Sequence, residues 1–297
     1  MSDTIPAANR PAYDVHAVGM CEKRGPLAES FASQILQTCQ PFLRAPLADL
    51  EVLDVGCGYG HTAAALARVC RRVVGIEPSP ALVAFAQQLR GQTALPNLEY
   101  RHQSVFELDE AAIYDLAVLD NVLEHLPDQP MALRKISTAL KVGGVLFILV
   151  PNKLWPVEVH YRLPFLSYLP LRLANLYLRV TGKGSDYTDA SFAPTYWRMK
   201  RLLRARPELE YRFVLPADLA LTTAGNAWHY RCGAAAIRRM PWLWAISKAF
   251  LVVAVKHAAT GDGKPAFGVD PTARARAAPD LFQASSGVHS GTELRGL

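Results

Sequence analysis

The residues best placed to do chemistry lie in Asp54-Val55-Gly56-Cys57-Gly58-Tyr59-Gly60, where three glycines alternate directly after an apolar run. Glycine removes the side chain that would hold a ligand away from the backbone, and a turn that opens a helix aims free amides at that ligand. Asp54, two residues ahead of the first glycine, could bind a cationic ligand directly or through water. Glu77 closes a second apolar run about twenty residues further on, where a carboxylate can accept hydrogen bonds from both hydroxyls of a ribose. Such a loop is a weak signal alone, and a dinucleotide site is its obvious competitor. Two features count against that competitor. His61 stands where the third glycine of the dinucleotide fingerprint belongs, and no second segment carries a hydride-transfer constellation.

A second group of reactive side chains lies beyond Asp120. His125 follows Glu124 in a Leu-Glu-His-Leu run, and His160 stands two residues after Glu158. Histidine has an ordinary pKa suited to proton transfer near neutrality. Glu158 and His160 could form a base and its orienting carboxylate, although strand alternation could equally place both on one solvated face. The five cysteines, Cys21, Cys39, Cys57, Cys70 and Cys232, show neither paired spacing nor metal-ligand spacing. Reduced thiols in a cytoplasmic protein, and no metal, are therefore expected.

The elements that must position these groups alternate between strand and helix patterns from Leu50 to Val150, the signature of a parallel sheet. Strands are predicted at 51–55, 72–77, 98–102, 114–119 and 145–150. Helices are predicted at 61–69, at 80–89 behind a Ser79 cap, and from an Asp128 cap through Leu140. Gly143-Gly144 should turn the chain into the fifth strand, and Pro151 should end it. Beyond it, 153–180 is aromatic and proline-rich and reads as an insertion lying over the sheet; its recurring prolines at 155–170 exclude one long helix and favour a lid or acceptor pocket over an insertion that only packs. Tyr187, Tyr196 and Trp197 extend that character. Residues 182–194 read as a mobile loop, 195–204 as a helix, 210–215 as a sixth strand, 242–249 as a helix and 250–256 as a seventh strand.

The fold class expected is α/β: a doubly wound, mostly parallel seven-stranded sheet with a substrate-side insertion. An N-terminal segment and helix, 1–40, would cover the ligand site. The main domain would run 41–258, with its insertion at about 153–206, and the Gly-, Ala-, Ser- and Pro-rich 259–297 would be a disordered tail. With 51% apolar and 20% charged residues the composition is that of a globular enzyme. The net charge of +6 includes no run of like charges, so nucleic acid is not an expected partner. Peripheral contact with a membrane is an option only, because the longest apolar run, 241–255, is short and broken by Ser247 and Lys248.

Leu53–Gly60 (LDVGCGYG), Val74–Glu77 (VGIE), Tyr114–Leu126 (YDLAVLDNVLEHL) and Leu140–Leu146 (LKVGGVL) resemble, in order and spacing, the successive motifs of class I methyltransferases. The nearest branch in appearance contains quinone-biosynthesis and related small-molecule enzymes. The resemblance spans about 100 residues and fades after Asn152. It implies S-adenosylmethionine as cofactor and S-adenosylhomocysteine as product. Gly56 and Gly58 would line the methionine and ribose, with Cys57 and Gly60 completing the loop. Asp54 would help to hold the amino group and Glu77 the ribose hydroxyls. Pro78 or Ile76 would lie against the adenine, and Asp120 and Asn121 would touch the methionine end. Ser104, with the amide of Val105, falls where the family often has an aspartate for the adenine edge, a departure that should weaken that contact. In this family the segment around His125 commonly reads Glu-His or His-His, which favours a structural role there.

The sulfonium methyl is already electrophilic, so the protein's work is alignment and exclusion of water. The acceptor expected is a small molecule, aromatic or lipid-like, methylated at oxygen. His160, Glu158 and His125 are the catalytic candidates. A prenylated quinone or other lipid-linked intermediate at a membrane surface is the alternative substrate. A cofactor-binding module without catalysis is the alternative of another class, and the intact loop and Glu77 argue against it.

Overall fold

The structure is a computed structural model that describes residues 25–216 and 228–258. The expected tail at 259–297, Cys21, and the first part of the segment at 1–40 lie outside the described residues. The other four cysteines are free thiols.

Seven strands form one sheet in the order β3-β2-β1-β4-β5-β7-β6. They are β1 (Glu51–Val55), β2 (Arg72–Glu77), β3 (Leu98–His102), β4 (Tyr114–Asp120), β5 (Leu140–Pro151), β6 (Leu209–Phe213) and β7 (Ala249–Lys256). The first five run parallel, and β7 pairs antiparallel with both β5 and β6. The central strands are buried along both faces, as parallel strands covered by helices must be.

Alternation along the strands feeds two cores. Leu53, Val55, Val74, Ile76, Leu146, Ile148 and Phe250 point to one face, where helices α4 (Gln129–Ala139) and α6 (Tyr196–Arg204) cover them with Leu133, Ile136, Met199 and Leu203. Val52, Val73, Val118, Val145, Phe147 and Leu251 point to the other. There α1 (Ala28–Cys39), α2 (His61–Ala67) and α3 (Pro80–Thr93) supply Ile35, Leu36, Leu66 and Ala86. The sheet is doubly wound. Its order reverses between β1 and β4, and the crevice beyond their carboxyl ends is where such sheets bind ligands.

The two predicted caps are in place: Ser79 Oγ accepts from the Leu82 amide and Asp128 Oδ1 from Met131. Thr195, read in sequence as the first residue of a helix, is instead its cap, with Oγ1 accepting from the Arg198 amide. Local expectations change at several points. The fourth helix ends at Ala139, and Gly143-Gly144 lies inside β5, where an irregularity in the pairing between Tyr114 and Leu116 absorbs it. Residues 241–246 form a 3₁₀ helix rather than an α-helix, with Pro241 at its start and Trp244 buried against the core. A helix at Trp228–Arg239, α7, precedes it and was not anticipated.

The insertion after β5 contains a 3₁₀ turn at Leu166–Tyr168 and a helix, α5 (Leu171–Val180). It has a small core of its own: Leu163, Leu166, Ala174, Leu178, Tyr187 and Ala190. Tyr196 and Trp197 do not continue it. The Tyr196 ring packs at 5.0 Å from Phe213 and 6.2 Å from Phe250 on the sheet, and Trp197 is exposed.

Candidate active site

The glycine loop is fixed to the end of β2 by its own backbone. The amides of Gly56 and Cys57 both donate to the Ile76 carbonyl, at 2.8 and 3.1 Å. Gly60 takes φ +81°, and a Cβ there would stand 2.5 Å from the Tyr100 ring, whose hydroxyl donates to the Gly60 carbonyl at 2.6 Å. Packing therefore demands that glycine. Gly58 differs: its φ is +56°, yet a Cβ there would meet nothing within 4 Å. The open side of the loop is at Gly58, where a ligand can lie against the backbone.

Glu77 is buried beneath the same point. Its Oε2 accepts from the Gly58 amide at 3.1 Å and its Oε1 from the Ser79 amide at 3.0 Å. Burial raises its pKa, and the two amide bonds partly offset that rise. Two ionised carboxylate oxygens offer about four lone-pair positions, so acceptor capacity is left for a diol above the loop. Asp54 is buried at the end of β1, and burial, followed by the charges of Asp54 and Glu77, pushes the Cys57 thiol well up. Tyr59, His61 and Phe85 cluster beside the loop, with the rings of Tyr59 and Phe85 edge to face at 4.9 Å. That aromatic wall was not anticipated, because Phe85 reads in sequence as one more apolar position of α3.

The N-terminal helix reaches the same region. α1 packs on α2 through the shared core, Glu29 pairs with Arg68, and the ring of His61 lies over Gly25. Among the adenine-side candidates, Pro78 has its carbonyl 3.0 Å from Nε2 of His102, at the end of β3. Ser104 caps a 3₁₀ turn at Val105–Glu107: its Oγ accepts from Phe106 while Glu107 reaches back to the Ser104 amide. Asn121 donates to Asp120 Oδ1 at 2.7 Å from a left-handed backbone at the mouth of β4.

The histidines converge, although 34 residues or more of sheet and turn separate them in the chain. Glu158 holds one of them firmly. Its Oε2 accepts from the His160 and Tyr161 amides at 2.8 and 2.7 Å, and its Oε1 lies 2.7 Å from His160 Nδ1. His125 Nδ1 faces the Asp189 carbonyl at 3.1 Å. With each Nδ1 so engaged, both Nε2 atoms stand 3.9 Å from one oxygen of Glu124, which is fully buried, and the two rings meet edge to face at 5.3 Å. Among the described residues this is the one grouping of three side chains that could hold a metal ion. It is equally a short path for a proton. Glu124 was legible only as the neighbour of His125, and nothing in its local pattern marks it as the buried centre of the group.

The loop at 182–194, expected to be mobile, is tied at both ends. Asp186 accepts from Thr188 and Asn175, and Tyr161 donates to its carbonyl. Gln129, wholly buried, donates to the carbonyls of Leu123 and Phe192 at 2.9 and 2.8 Å and accepts from Arg198 at 3.2 Å. It joins the turn after β4, the loop and α6 in one knot. Gln129→Leu removes one hydrogen bond from the Leu123 carbonyl, which keeps the Leu126 amide, and one from the partly buried Phe192 carbonyl, and should cost about 1–3 kcal/mol. A drop in the urea midpoint at unchanged slope would report it, and a change under about 0.5 kcal/mol would mean that the knot is not a stabilising element.

A glycine loop at the switch point, backed by a buried acid at the end of β2, defines a nucleotide-type cofactor site on a doubly wound sheet. A family model described as "Methyltransferase domain" matches residues 27–194, and the chain belongs to that family. It is a class I S-adenosylmethionine-dependent methyltransferase. The chain is 30% identical over 187 residues to the ubiquinone biosynthesis O-methyltransferase of Xanthomonas oryzae pv. oryzae (strain PXO99A), covering 57% of this chain and 76% of that protein. It is 31% identical over 188 residues to the protein of the same name from Xanthomonas euvesicatoria pv. vesicatoria (strain 85-10), with the same coverage. The fold is similar to that of the plantazolicin methyltransferase BpumL in complex with SAH, at TM-score 0.53 and 15% identity, over 84% of this chain and 92% of that one. The residues fit the cofactor: Glu77 retains acceptor capacity beside the open face of Gly58.

Proposed function

We propose that this enzyme methylates a hydroxyl group of a small, ring-containing and lipid-like acceptor in the cytoplasm, with His160 receiving the acceptor's proton. The observation that carries the reading is the Glu158–His160 pair at 2.7 Å, in which two backbone amides lock the carboxylate. A hydrogen bond from Nδ1 to Glu158 leaves Nε2 as the proton acceptor and steadies the imidazolium that results. S-adenosylmethionine supplies an electrophilic methyl group. The chain's residues would align the attacking oxygen and keep water away. Asp54, the loop Gly56–Cys57–Gly58–Gly60, Glu77, Pro78, Ser104, Val105, Asp120 and Asn121 are the proposed cofactor contacts. His125 and Glu124 would share charge with His160, so that no metal is required.

The names of the sequence relatives support oxygen as the methylated atom and a quinone precursor as the acceptor class. Among the described residues no helix is long and apolar enough to cross a membrane. The test is methyl transfer from labelled cofactor to a dihydroxybenzene acceptor, with and without a prenyl tail, in the presence of a chelator. A methyl ether formed at an undiminished rate is expected. Methylation at nitrogen or carbon would overturn the acceptor chemistry. Loss of activity in chelator would instead make Glu124, His125 and His160 metal ligands.

A further inference from the structure

The loop at 182–194 brings one residue to the histidine pair through both its backbone and its side chain. The Asp189 carbonyl faces His125 Nδ1 at 3.1 Å, and the Asp189 carboxylate lies within the field of His160. Burial raises the Asp189 pKa, the charge of Asp186 adds to the rise, and the charge of His160 opposes it. The backbone that carries Asp189 is held on both sides. Tyr187 and Ala190 are buried in the small core of the insertion. The Tyr187 amide donates to Asn175 Oδ1 at 2.8 Å, and the Ser191 amide and hydroxyl both donate to the Thr188 carbonyl.

Three carboxylates serve the histidines, and their surroundings differ. Glu124 is sealed from solvent. Glu158 is buried and takes two amides and His160 Nδ1. Asp189 is exposed, and among the described residues no hydrogen bond or ion pair reaches its carboxylate. A carboxylate fixed beside a base and open to solvent is an acceptor for whatever enters, and a hydrogen bond that ends on a charge is a strong one. We propose that Asp189 sets the specificity of the acceptor site. Its carboxylate accepts a hydrogen bond from a second donor on the acceptor, next to the hydroxyl that His160 deprotonates, and repels acceptors that carry an acidic group there. The monomethylated product no longer offers that donor, so transfer stops after one methyl group. This inference rests on the reading of His160 as the base for a hydroxyl acceptor.

The test compares methyl transfer from labelled S-adenosylmethionine to matched phenols that carry a hydroxyl, a methoxy or a carboxylate group ortho to the reacting hydroxyl. Mass spectrometry counts the methyl groups on each product. The wild type should favour the diol over either of the others by ~10–100-fold in kcat/KM and stop at one methyl group. In Asp189→Ala the diol's advantage over the methoxyphenol should fall to about threefold or less, and a dimethyl ether should accumulate. Asp189→Asn keeps an acceptor oxygen but not the charge, so it should retain part of that advantage while admitting the hydroxybenzoate. Affinity for S-adenosylhomocysteine, measured on the same variants, reports whether each is folded. Transfer to none of the phenols by the wild type would overturn the proposed function and this inference together. A wild type without preference, or one preference shared by the wild type and whichever variant retains S-adenosylhomocysteine binding, would overturn this inference alone.

Discussion

His160→Ala is expected to lower kcat by ~10²–10⁴ on the true acceptor while leaving the dissociation constant for S-adenosylhomocysteine unchanged. The separation of the two readouts follows from the layout. His160 is fixed from the insertion by Glu158 and faces Glu124 and His125, whereas the cofactor loop is fixed by Ile76, Glu77 and Tyr100. Neither set of hydrogen bonds uses a residue of the other. Glu158→Gln is the informative companion. It keeps the shape of the carboxylate but weakens three hydrogen bonds that now end on a charge. A loss in kcat smaller than that of His160→Ala, at equal cofactor affinity, is expected. Equal turnover of wild type and His160→Ala would remove His160 from the mechanism. Parallel losses of turnover and cofactor affinity would mean that the substitution had disturbed the fold.

Glu77→Ala should weaken S-adenosylmethionine binding by ~100-fold or more, the largest binding effect expected of any single residue here. Two losses combine. The ribose hydroxyls lose an ionised acceptor, and hydrogen bonds to charged groups contribute about 1.5–3 kcal/mol each. The amides of Gly58 and Ser79 also lose the oxygens that hold the loop and the start of α3 in register. Calorimetric titration measures the first loss, and the thermal midpoint of the cofactor-free protein measures the second. Glu77→Gln separates them, because it retains one acceptor oxygen for the loop but lacks the negative charge. A change in affinity below threefold for Glu77→Ala would sink the assignment of the diol to this residue.

The nucleotide half of the molecule was legible because its signals are local. A buried parallel strand must be continuously apolar, a glycine loop must follow it, and an acid at the end of the next strand adds a third local mark. β1 and β3 fall where the apolar runs placed them, and β2 closes on Glu77. The histidine cluster was less legible because its geometry is not local. Glu124 and His125 leave the sheet after β4 and His160 after β5, and these meet only because β4 and β5 are neighbours. The Gly143-Gly144 pair was misread for the same kind of reason. Two glycines read as a turn unless a partner strand pairs on both sides of them, as β4 does. Tyr196 shows the converse: its aromatic neighbours in sequence suggested the insertion, while its ring belongs to the sheet.

The antiparallel strand between β5 and β6 has a consequence for how the chain is made. β5 is long and almost wholly apolar, and its partner on one side, β7, is roughly one hundred residues further along the chain. Until residues 249–256 have left the ribosome, β5 presents a bare apolar edge of the kind that recruits other chains. Every residue of the insertion, His160 among them, is synthesised during that interval, after Glu124 and His125. The order of synthesis thus favours early completion of the glycine-loop half around β1 to β4, with β7 and the packing of β5's free edge closing last. Premature termination between β5 and β7 would leave a chain whose glycine loop is present and whose sheet is open.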